Sequence, residues 1–458
     1  MSAIYNHLRM FTCRQYTLAV LLLFVALLDP FSLSAASDSA SATWLNRVFA
    51  SFYPTAGRAQ ITVVLIDDAY LTHHNTYWPL PYDEQSKLFR HLLRYQPSGV
   101  FVDLMYSHDH TSADPAQGSR LLANVFARYQ DKGVPLWLAN TGEKATTGMA
   151  NTLNALMQIT QPALVTWAGW GDHYPLAVNT ALGVMETPAL AMYRRYCQAH
   201  RCDALPKDAE AAVKAPSMAI QWGARQHEDQ EKVAKTVGCA KSLGPFTDAW
   251  HELTRAFKGR ANNDNPKRCA YNLTLSASDL EVTGTDDQQL VGSMLQGRLV
   301  LVGADITSAG DTVNSPVHGD IAGVYQHAMA LDNLIVKGMN YDSDPKGLGF
   351  MNLNWLDLLQ VFLLAVIAVL KKLMTRPEPG IPRLYLPGQT WPQVTRVAGA
   401  FMVVLALLSV ALHLAHITPA NVLGIAVLSL ALFSEKFDEF IARRGCLPIS
   451  WKPKGHQG

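Results

Sequence analysis

Four apolar segments crowd the two ends of the chain, and the long stretch between them must fold outside the membrane that such segments would occupy. The first, Tyr16 to Ala36 (YTLAVLLLFVALLDPFSLSAA), comes after Arg9 and Arg14 and is interrupted only by Asp29. It reads as a spanning helix of about 20 residues. A cleaved signal peptide is the alternative, because Asp29-Pro30 would break a helix and Ser34-Ala35-Ala36 offers small residues to a peptidase. Either reading exports the chain beyond Ala36.

The other three segments are Leu353 to Leu370, Val397 to Ala415 and Ile417 to Phe433. Lys371, Lys372 and Arg376 follow the first of these, Arg396 precedes the second, and Lys436, Arg443 and Arg444 follow the third. Basic flanks stay on the cytoplasmic side, so the short link from His413 to Pro419, which has no Lys or Arg, lies outside. The expected organisation is a cytoplasmic stub and anchor (1–36), an exported domain (37–352), three transmembrane helices (353–435) and a basic cytoplasmic tail (436–458). Both ends are then cytoplasmic, in a multi-pass protein of a bacterial inner membrane.

The cysteines divide in the same way. Cys197, Cys202, Cys239 and Cys269 all lie in the exported stretch, an even number where disulfides persist, whereas Cys13 and Cys446 fall on the cytoplasmic side. Zinc is the alternative for the four, but only one pair is closely spaced and no Cys-x2-Cys repeat occurs. We expect disulfides, with Cys197 to Cys202 and Cys239 to Cys269 as the first choice among three pairings. The formal net charge of +1 gives no sign of a nucleic-acid surface.

Within the exported region, Ile61 to Ile66 (ITVVLI) is a continuous β-branched run of strand length, and Tyr82 to Gln96 carries apolar residues at helical spacing. SGVFVDLMY, GSRLLANVFARYQDKG and VPLWLAN continue the alternation. Apolar strands separated by helices predict an α/β fold, a parallel or mixed sheet covered by helices on both faces. Gln296 to Asp305 (QGRLVLVGAD) reads as a late strand inserted beside the early ones, and GVYQHAMALDNLIVKG reads as a helix after it. Pro206 to Asp264 is an elaboration made partly of helix, inside a cysteine-bearing insertion of about 197–269.

Taken in order, ITVVLIDDAYL, WPLP, GVFVDLMYS, TPALAMYRRY, ASDL, LQGRLVLVGAD and GVYQHAMALDNLI resemble the CHASE type-two extracellular sensory domain, from Ile61 to Ile335. The resemblance implies an anchor, an exported sensor and about three transmembrane helices leading to a cytoplasmic enzyme. Here the basic tail and the Pro-rich Lys371 to Arg396 loop are too short for an enzyme domain. We therefore expect a sensor without its own output, which meets a small molecule or protein outside the cytoplasm and works with a separate membrane or cytoplasmic partner.

Asp67, Asp68 and Asp103 are placed at carboxyl ends of strands, where ligands commonly bind in open α/β sheets, and Asp305 and Asp311 follow the late strand. Together they could line a ligand pocket, hold a hard cation or act as acid and base. They could equally cap helices and bond loop backbone, which is the reading we favour for Asp67 and Asp68. His108 and His110 on one loop, and His73-His74 on another, are weak metal candidates, and His327 on a helix suits a buried hydrogen bond better than a metal. GADITSAGDTVNSP is a Gly-containing turn that lacks a phosphate-loop signature, and no esterase elbow or zinc-protease helix occurs. No enzyme activity and no cofactor are expected. The alternatives are a scaffold subunit of an envelope complex and an exported metal-assisted hydrolase.

Overall fold

The computed structural model describes residues 33–107, 113–144, 152–168, 173–202, 204–233, 239–257, 268–344, parts of 355–366, and 391–417. The chain divides into two units, Thr43–Asp344 and the combination of Met1–Ala42 with Pro345–Gly458.

The larger unit is built on six strands, β1 (Ile61–Asp67), β2 (Gly99–Val102), β3 (Leu136–Asn140), β4 (Gln161–Leu164), β9 (Leu273–Ser276) and β10 (Leu299–Asp305). Their order across the sheet is β4-β3-β2-β10-β1-β9, and every pairing is parallel. The α/β class is as the alternation predicted, and the late strand β10 does enter between β1 and β2. All the side chains of β2 and β3 are buried, as are those of β1 and β10 except at their final aspartates. This is why these strands are continuously apolar: a strand covered on both faces has no polar side to alternate with.

The covering layers arise from helix periodicity. On one face, Leu88, Phe89 and Leu92 of the Tyr82–Arg94 helix and Leu122 and Phe126 of the Pro115–Asp131 helix pack on Val64, Val102 and Val300. Met294 and Leu295 of the Thr285–Leu295 helix join them. On the other face, the Pro188–Ala199 and Val324–Lys337 helices cover Val63, Phe101 and Leu301.

Short antiparallel pairs surround this core: β5 (His173–Tyr174) with β8 (Met218–Ala219), β6 (Ala177–Thr180) with β7 (Gly183–Glu186), and β11 (Thr312–Ser315) with β12 (Gly319–Ala322). The elaboration contributes helices at Ala209–Val213, Gln230–Val233 and Pro245–Phe257. Both expected disulfides are formed, Cys197–Cys202 and Cys239–Cys269. One detail differs from the sequence reading. His73 and His74 are the last residue and the C-cap of the Asp68–His73 helix, not a loop. Gly303, which fell both in the expected late strand and in the Gly-containing turn, lies within β10.

In the smaller unit, the Trp391–Leu414 helix begins before the third apolar segment and covers it to Leu414, and its Leu412 is buried with Leu356 against Leu359, Leu408 and Ile417. Side chains are described for only part of that helix. Among the described residues no helix is long and apolar enough to cross a membrane. The first predicted span lies outside the described residues almost to its end. Most of the second and all but the start of the fourth lie outside them as well.

Candidate functional site: the carboxyl edge of the sheet

The chain leaves β1 and β2 toward one face of the sheet and leaves β10, which lies between them, toward the other. Neighbouring strands whose connections part in this way open a crevice at their carboxyl ends, the place where open α/β sheets commonly bind ligands. Side chains alternate along a strand, so Asp67, Asp103 and Asp305 continue the face of Leu65, Phe101 and Leu301, beneath the Val324–Lys337 helix. Asp67 and Asp305 are direct neighbours in the β1–β10 register, and the Asp103 N-H extends the ladder by donating to the Val302 carbonyl at 2.8 Å.

Two of the five aspartates are occupied with local structure. Asp67 is the N-cap of the Asp68–His73 helix and accepts from the Tyr70 N-H at 2.7 Å. The Asp68 carboxylate accepts from the Thr307 hydroxyl at 2.6 Å and the Thr307 N-H at 3.2 Å, tying the chain after β1 to the chain after β10. A capping role makes a graded prediction. Asp67→Ala should lower stability by about 1 kcal/mol, while Asp67→Asn, which caps equally well, should lose only a small part of that. Urea titration of the two variants checks it, and an equal loss in both would refute the cap.

Asp103 differs. Its side chain is 12% exposed and faces the buried His327, with carboxylate and Nε2 3.9 Å apart. Burial first, and then the charge of Asp311, raise the Asp103 carboxyl to about 7. Burial lowers His327 to about 3. Both groups are therefore driven toward their neutral forms, and 3.9 Å is too long for a hydrogen bond, so the contact is not an ion pair in mildly acidic solution. Nδ1 of His327 is paired with the Tyr174 hydroxyl at 2.8 Å, as a buried-hydrogen-bond role for this histidine predicts. Trp167 packs edge-on against both rings.

Asp305 and Asp311 are exposed at the rim. Asp311 accepts the Gly323 N-H on its backbone carbonyl, which holds the β11–β12 segment beside the start of the Val324–Lys337 helix. The structure thus brings Asp103 and Asp311 together, adds His327 and Tyr174, and leaves Asp67 and Asp68 as framework. Among the described residues these five aspartates form no group of three ligand atoms close enough to share one ion. His108 and His110 lie outside the described residues.

Comparison with known families bears directly on this architecture. The model of the CHASE2 domain matches residues 17–370. This chain belongs to the CHASE2 domain family. No curated protein and no solved structure matches it. CHASE2 domains are a family of sensory modules. Tyr174 was not legible as a site residue: it lies 153 positions from His327 in a two-residue strand, and no spacing rule connects them.

Proposed function

We propose that this CHASE2 protein is a membrane-anchored extracytoplasmic sensor module, with both termini in the cytoplasm and the carboxyl-edge crevice of its α/β domain as the input site. The observation that carries this reading is the extent of the family match. Residues 17–370 take in the α/β domain together with an apolar segment on each side of it, the first from Thr17 to Ala36 and the second Leu353 to Leu370. A sensor bracketed in this way can pass a change in its fold to the flanking helices. Val403, Val404, Leu407 and Leu414 of the Trp391–Leu414 helix are exposed, which suits a lipid surface better than water. The disulfides favour an oxidising compartment for the domain that holds them.

Reporter fusions test the topology. A reporter active only outside the cytoplasm should give signal when fused after Gly183, at the exposed β6–β7 turn, and none when fused after Gly458. Signal at Gly458, or silence at Gly183, would overturn the proposal.

A further inference from the structure

At the opposite side of β1 from Asp103, three elements converge on one carboxylate. Glu281 ends the single-turn helix Ala277–Glu281 that comes after β9. One of its oxygens lies 3.0 Å from Nε2 of His74, and the other lies 3.4 Å from Nδ1 of His91, on the Tyr82–Arg94 helix. His73 completes the group: one ligand atom from each of His73, His74 and Glu281 falls within 4.8 Å of the other two. We propose that His73, His74 and Glu281 bind a divalent transition-metal ion of the zinc class, with His91 positioning Glu281 from the second of its oxygens.

The donor set matches that chemistry. Two imidazoles and one carboxylate are the ligands of open, three-residue zinc sites, in which the fourth position is left to water or an incoming ligand. Bonds of about 2.1 Å place ligand atoms roughly 3.4 Å apart around a tetrahedral ion, so His74 and Glu281 already stand at a suitable separation. His73 is exposed and can close the remaining distance by rotating its side chain. His74, His91 and Glu281 are each about four-fifths buried, at 21, 19 and 20% exposure, so the group is anchored in the fold rather than splayed in solvent.

His91 suits a positioning role. Its Nδ1 stands 3.4 Å from the Glu281 oxygen that faces away from His74, where a neighbouring side chain can orient a metal-binding carboxylate. A second, independent observation points into the same place. Tyr70 is fully buried, its ring packs 4.4 Å from that of His74, and its hydroxyl has no hydrogen-bond partner among the described residues although Glu281 and Glu84 act on it electrostatically. A fully buried hydroxyl without a partner is costly, and a metal-bound water would supply one.

The test uses the full chain, purified in detergent, stripped with a chelator and titrated with Zn2+ and with Co2+. The expected result is one equivalent bound, with visible cobalt absorption of a four-coordinate site. His74→Ala and Glu281→Gln should each weaken Zn2+ binding at least 100-fold, and His91→Ala about 10- to 100-fold. The exposed His73→Ala variant, whose metal-free melting should equal that of the wild type, keeps the test valid if a buried variant misfolds. The double variant His108→Ala, His110→Ala should bind as the wild type does. Absence of stoichiometric binding, binding that survives His73→Ala together with Glu281→Gln, or loss of binding in the His108, His110 double variant would each overturn the proposal.

Discussion

Asp332→Asn is expected to stabilise the protein at pH 8 and to flatten its stability between pH 4 and pH 7. Asp332 lies on the Val324–Lys337 helix with no exposed surface, against the turn at Gly57, where an added Cβ would stand 2.8 Å from the carboxyl group. One oxygen accepts from the Tyr53 hydroxyl at 2.9 Å, and the other has no partner among the described residues. Burial raises its pKa to about 7, although the Tyr53 hydrogen bond and the Arg58 charge pull the other way. Below about pH 4 the carboxyl is protonated in both the folded and the unfolded chain and costs nothing further. From there to about pH 7 the unfolded chain releases a proton that the folded chain retains, so stability falls as pH rises. Above pH 7 the penalty is constant, on the order of 4 kcal/mol for a shift of about three units.

Asparagine holds the neutral form at every pH. Its amide meets the same unpartnered environment, so about 2 kcal/mol of gain should remain at pH 8 and little or none at pH 4. Melting temperatures of the wild type and Asp332→Asn from pH 4 to pH 8 decide it. Asp103, raised for a similar reason, leaves some slope near pH 7 in the variant. A variant that melts lower than wild type by the same amount at both ends of the range would show that Asp332 is not the buried acid described here.

Gly303→Val should have a larger effect, in the opposite direction. Gly303 is opposite Leu65 in the middle of the sheet, and an ideal Cβ there would lie 2.6 Å from Cβ and 2.7 Å from Cγ1 of Val324. Val324 is 1% exposed and opens the helix that carries His327 and Asp332, so neither backbone has room to give without lifting that helix from the sheet. Overpacking of a well-filled core costs about 1 to 3 kcal/mol, occasionally more. Because a Cβ there would collide with the buried Val324 side chain close to that helix's backbone, we place Gly303→Ala near the top of that range and Gly303→Val beyond it. The urea midpoint should fall with the slope unchanged. A change under about 1 kcal/mol would mean that the helix and strand do not approach as closely as the fold requires.

Much of the architecture was legible because burial leaves a mark on every residue of an element. ITVVLI, GVFV, LWLAN and LVLV are apolar without alternation because both faces of the sheet are covered, and the helices between them show the 3.6-residue period of one-sided burial. Asp67 preceding a short helix and the cysteine pairs were readable for related reasons: a cap acts over three residues, and an even cysteine count in an exported stretch limits the pairings. The glycine of QGRLVLVGAD was visible, but its reason was not. It was read as turn chemistry, whereas the cause is a helix 21 residues later, pressed against the strand.

The candidate sites divide along the same line. The α/β class, the bracketing of one domain by apolar segments, the aspartates at strand ends and the family could all be read along the chain, because periodicity, charge flanks and ordered motifs are properties of sequence neighbours. Packing in three dimensions was needed to show that Asp103 faces His327 and Tyr174 while Asp67 and Asp68 serve the framework, and that His74, His91 and Glu281 meet. Those groups come from elements far apart in the sequence, so their meeting is set by the insertion of β10 between β1 and β2 and by the docking of β9 on the other side of β1. No local pattern records such an encounter, because its energy comes from the packing of whole layers rather than from the residues that happen to meet at their edge.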